Sequence, residues 1–97
     1  MKKENYEPIP NQLRRYRRTR ALRQKDVAVI LELKSTSMIS RWEQGRCLPS
    51  SLNIFRLAVI YRTMVDALFY EFKCRLGEEI SKREQRAMKN KAAVYAK

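Results

Sequence analysis

The chain of 97 residues contains no histidine. That single absence removes the commonest general base, the serine and cysteine triads, and most transition-metal sites. Cys47 and Cys74 are too few for a disulfide framework, and neither has the close cysteine or histidine neighbour that a zinc site needs. They read as reduced thiols, and neither metal nor cofactor is expected. No run of 18 apolar residues exists, and the charges near the N-terminus lead into no apolar stretch of signal-peptide type. The expectation is a cytoplasmic, non-enzymatic protein without a membrane role. Two glycines and three prolines fall between helical patterns rather than within strand-like alternation, so the expected fold class is all-α.

Acidic residues are also scarce, 10 against 22 Lys and Arg, which leaves a formal charge of +12. Residues 1–70 hold 14 basic and 6 acidic side chains, and residues 71–97 hold 8 and 4. Both parts are basic. Arg14, Arg15, Arg17, Arg18, Arg20, Arg23 and Lys25 crowd one short stretch. Such density repels itself unless a polyanion neutralises it. The alternative is an ordinary solvated helix face.

With a hydrophobic fraction of 44%, the chain carries enough apolar residues for one modest core. Residues 1–10, with Pro8 and Pro10, read as a flexible N-terminal arm, and Pro10 or Asn11 opens a first helix to about Arg20. Gln24 to Leu31 predicts a second, with Val27, Ala28 and Leu31 on one face. Ser35, Thr36 and Ser37 are cap-type residues before a third helix, to about Gln44, whose buried edge is Ile39 and Trp42. Gly45 stops it. A fourth helix opens at Pro49 to Ser51, and Leu52, Phe55, Leu57, Ala58, Ile60 and Tyr61 make it the expected centre of the core. A short fifth holds Val65, Leu68 and Phe69. Residues 71–97 form a basic helix or tail with a thinner stripe of Phe72, Leu76 and Ile80, and Gly77 is a candidate kink. The division is an arm at 1–10, a domain at 11–70 and a tail at 71–97.

Two short helices joined by a tight turn, the second exposing polar side chains, is a helix-turn-helix pattern. Four segments sharpen it: Gln24-Lys25-Asp26-Val27-Ala28, Ile39-Ser40-Arg41-Trp42-Glu43-Gln44-Gly45, Leu48-Pro49-Ser50-Ser51-Leu52 and Val65-Asp66-Ala67-Leu68-Phe69. In that order and spacing they resemble the lambda-repressor/Cro-like (XRE-type) helix-turn-helix family over about residues 11–70. The resemblance implies a five-helix domain whose third helix, here about 37–44, enters the DNA major groove. It implies base contacts from Thr36, Ser37 and Arg41, with Ser40 beside them. Backbone contacts are implied for Gln44 and Arg46, and Gln24 is implied to bond a phosphate and brace the third helix. Arg17 and Glu43 match a charge pair tying the first helix to the third, and Arg17 is also a candidate phosphate contact. Lys25 and Arg23 complete the expected DNA-binding set.

Three departures stand out. Glu32 replaces the glycine usual in the turn, the turn is about one residue longer than the commonest form, and Arg23 stands where a Ser or Thr cap is usual. A cation there opposes the helix dipole unless a phosphate intervenes. The tail lies outside the resemblance, and its stripe is free to pack on the domain, to pair with a second subunit or to stay exposed. The reading is a transcriptional repressor, cytoplasmic and nucleoid-associated, that binds a double-stranded DNA operator as a homodimer. The alternative is an antitoxin-like DNA-binding protein whose residues 71–97 bind a partner protein. A basic RNA-binding or membrane-surface module is the remaining rival.

Overall fold

A computed structural model describes residues 7–95. Its helices are α1 Leu13–Thr19, α2 Gln24–Ile30, α3 Ser37–Glu43, α4 Ser51–Tyr61, α5 Val65–Leu68 and α6 Tyr70–Tyr95. The fold is all-α, with no strand among the described residues. The α3 helix packs on α1 and α2, and α5 on α4 and α6. One core joins Leu13, Val27, Ala28, Leu31, Ile39, Trp42, Leu57, Ala58, Tyr61, Leu68 and Phe69.

Four helices end the same way. After each last turn, one residue takes a left-handed backbone and the next N–H reaches back five residues. Leu22 N–H donates to Arg17 O, Leu33 to Ala28 O, Arg46 to Arg41 O and Thr63 to Ala58 O, all at 2.8–3.1 Å. These bonds satisfy carbonyls that a helix end leaves orphaned. The left-handed residues are Ala21, Glu32, Gly45 and Arg62, with φ between 53° and 73°. Only one is glycine, although glycine alone adopts this conformation without strain. Glu32 in the turn therefore keeps the backbone of the glycine it replaces.

Gly45 has a second reason to lack a side chain. A Cβ there would lie 2.5 Å from the Ile9 carbonyl oxygen and 2.6 Å from its nitrogen. Ile9 N–H donates to Gly45 O at 2.8 Å, and the Asn11 amide donates to Ile9 O and Trp42 O at 3.0 and 3.1 Å. Of the arm expected over residues 1–10, residues 1–6 lie outside the described residues, and Ile9 is tied to the end of α3. The first helix opens at Leu13, later than Pro10 or Asn11. Asn11 is its anchor, accepting the Leu13 N–H at 3.1 Å.

The fourth helix departs from expectation in its packing. Leu57, Ala58 and Tyr61 are buried, but Leu52 is 58% and Phe55 63% exposed. The reason is angular: residues 54, 57, 58 and 61 share one side, and 52, 55 and 59 fall on the other. The last helix runs unbroken through Gly77, the candidate kink. Phe72 packs against the core, whereas Leu76 and Ile80 remain partly exposed at 42% and 43%.

Candidate nucleic-acid interface

The α3 helix is held from behind by one carboxylate. Glu43, whose side chain is fully shielded, accepts Arg17 Nε at 2.6 Å and Arg17 Nη2 at 3.1 Å. Its Oε1 also accepts Gln24 Nε2 at 3.1 Å and Arg14 Nε at 3.3 Å. Burial alone would raise the Glu43 pKa, but hydrogen bonds from Arg17 and Gln24 and the Arg17 charge outweigh it and hold the group below its ordinary value. The same bond to Glu43 raises the Arg17 pKa. Arg17 Nη1 donates to Leu22 O at 2.9 Å, so one guanidinium fastens the end of α1 and the end of α3 together.

With Ile39 and Trp42 buried and Glu43 turned inward, the opposite face of α3 presents Ser37, Arg41 and Gln44, all exposed. They lie at i, i+4 and i+7, the spacing of one helical stripe. Ser40 is half-buried at its edge and accepts Gln44 Nε2 at 2.8 Å. Arg46 Nε donates to Gln44 Oε1 at 3.0 Å, which extends the polar chain past the helix end. Thr36, half-buried, precedes the first turn without a capping bond. The nearby cap contact comes from Ser35, whose Oγ accepts the Ser37 N–H at 3.3 Å. Hydroxyl residues were expected at this cap, but the one that does the work is Ser35.

Arg17 is placed behind this face, 9% exposed. Gln24 stands at its border, half-buried, with one amide hydrogen spent on Glu43. Arg23 and Lys25 are exposed at the head of α2. The cationic start of α2 is answered within the chain: Asp26 accepts Arg23 N–H at 2.8 Å and pairs with its guanidinium at 3.2 Å. That carboxylate meets the helix dipole where a phosphate was expected to. The Arg23 bond lowers the Asp26 pKa.

Two features escaped the sequence reading. Met38, 39% exposed, sets an apolar side chain beside Ser37 and Arg41, and only its place between Ser37 and Ile39 hinted at this. Arg14, Arg15 and Arg18 line an open hollow on α1 with Asn11, Gln12 and Thr19. Their crowding was visible in sequence; their grouping on one hollow was not.

Two short helices crossed over a shared core, the second braced behind and polar in front, define a helix-turn-helix unit. A family model described as a helix-turn-helix domain matches residues 11–69, and the chain belongs to that family. No curated protein and no solved structure matches it. Among the described residues, no helix is long and apolar enough to cross a membrane.

Proposed function

We propose that this protein is a sequence-specific, double-stranded-DNA-binding transcriptional regulator, a nucleoid-associated repressor acting as a homodimer with α3 in the major groove. The observation that carries this reading is the two-sided build of α3, anchored through Ile39, Trp42 and Glu43 while Ser37, Arg41 and Gln44 face outward. Base edges are read by Arg41, with Ser37, Thr36 and Ser40 beside it. Phosphates are held at the rim by Arg23, Lys25, Gln44, Arg46 and the second amide hydrogen of Gln24. Arginine's planar fork suits guanine O6 and N7, a contact worth about 1–3 kcal/mol of discrimination. Arg17 contributes by fixing α3 rather than by touching DNA.

Selection of duplexes from a random pool identifies the operator, and Arg41→Ala then tests the reading. The expected outcome is relaxed preference at one operator position, with non-specific binding nearly unchanged. Equal weakening of every sequence, with a salt slope lower by about one, assigns Arg41 to a phosphate and overturns the base contact. A pool that returns no enriched duplex overturns the regulator itself.

The exposed Leu76 and Ile80 favour one second reading, an antitoxin-like protein that binds DNA through α3 and a partner protein through α6.

A further inference from the structure

The α4 helix carries apolar residues on two opposite faces, with the Asn53–Arg56 pair on the side between them. Only its inner face is covered: Leu57 is 1% and Tyr61 3% exposed, while Leu52, Phe55 and Val59 on the outer face are 58%, 63% and 77% exposed. The outer face is not flat. Phe55 and Val59 form a ridge between two shallow hollows, one reaching Ile30 of α2 and the other Met64 of the loop before α5. Ile30 and Met64 are themselves 52% and 72% exposed.

We propose that this ridge is the interface between two copies of the chain. The proposal deepens the homodimer named above by giving its surface. A ridge flanked by hollows complements itself, because a two-fold axis lays each Phe55–Val59 ridge into the other copy's hollow. Closed two-fold dimers require such an isologous patch. Five large apolar side chains, each more than half exposed, amount to a patch of several hundred Å², at the upper end of what a lone monomer displays. A standard specific interface takes roughly 800 Å² per partner, of which such a patch, rimmed by the exposed Arg56 and Arg62, would form the apolar centre. The chain's own tail is not the cover, since α6 runs as one unbroken helix from Tyr70 to Tyr95 and does not turn back over α4. Arg56 and Arg62 are brought to the same rim from both copies, so screening of like charges makes this association tighten with salt, the opposite of binding to DNA.

Sedimentation equilibrium of the full chain without DNA tests the proposal, so its outcome is independent of whether α3 binds an operator. A dimer of 11.6 kDa chains is expected, strengthened by added salt. Phe55→Glu with Val59→Glu is expected to give a monomer of unchanged helical circular dichroism, because both positions are exposed. Leu76→Glu with Ile80→Glu is expected to remain dimeric. Should the double glutamate variant unfold, Phe55→Ala replaces it, with association weakened about tenfold or more. A monomeric wild type, a dimeric glutamate variant of α4, a Phe55→Ala chain that associates as tightly as wild type, or a dimer lost only on changing α6 each overturns it.

Discussion

At the scale of single residues, the four helix ends put glycine where nothing else fits and strain where something else does. Gly45 meets both a left-handed backbone and the Ile9 peptide within bonding distance of its missing side chain. Gly45→Ala is therefore expected to cost about 2–3 kcal/mol, from left-handed strain and the displaced Ile9 bond. Glu32→Gly should do the reverse, stabilising by about 0.5–1 kcal/mol, since removed strain exceeds glycine's added chain entropy. Thermal melting of both variants checks the pair. Equal loss in the two would mean that the left-handed caps are not what distinguishes these positions. Gly45 as a stop was legible in sequence because glycine announces itself. Ala21, Glu32 and Arg62 as left-handed residues were not, because only the five-residue return bonds reveal them.

At the scale of elements, α3 owes its position to Glu43, and this makes its docking sensitive to acid. The folded pKa of Glu43 lies below its ordinary 4.5, so the stability it contributes is fully present above about 4.5 and is lost as pH falls through the folded value. Glu43→Gln removes the charge that compensates the nearly buried Arg17. It is expected to lose on the order of 3 kcal/mol at neutral pH. The gap between the two proteins should then narrow below about pH 4.5. Denaturant melts across pH 3 to 7 measure this, and a constant gap would contradict the linkage. The Arg17–Glu43 pair was readable through the family resemblance. The same resemblance implied that Gln24 braces α3, whereas the added bond from Arg14 depends on where α1 crosses α3, which no local pattern encodes. The α4 helix failed in the instructive direction. Its apolar content suggested the centre of the core, but periodicity divides that content into a buried face and an exposed one.

At the scale of the whole molecule, charge and shape act together. The radius of gyration is 18.2 Å, against about 12.5 Å expected for a compact chain of this length. Most of the excess is α6, about 39 Å long at 1.5 Å per residue. A charge of +12 predicts strongly salt-dependent DNA binding. If about six phosphates are neutralised, log K against log salt should fall with a slope near −5. A slope shallower than about −2 in a fluorescence titration would remove the electrostatic part of the proposed mechanism. Net charge is legible from composition alone, and the helical character of the tail from its stripe of Phe72, Leu76 and Ile80. That Leu76 and Ile80 would lack a cover was not, because coverage depends on where α5 directs the chain.

The strained caps also bear on how long such a protein lasts. Three left-handed residues that glycine would relieve by about 0.5–1 kcal/mol each raise the population of open chain roughly 10- to 100-fold over a glycine-capped counterpart. Proteases that act on transiently opened chains sample that population directly. The backbone that shapes its turns thus contributes to how fast the chain is turned over.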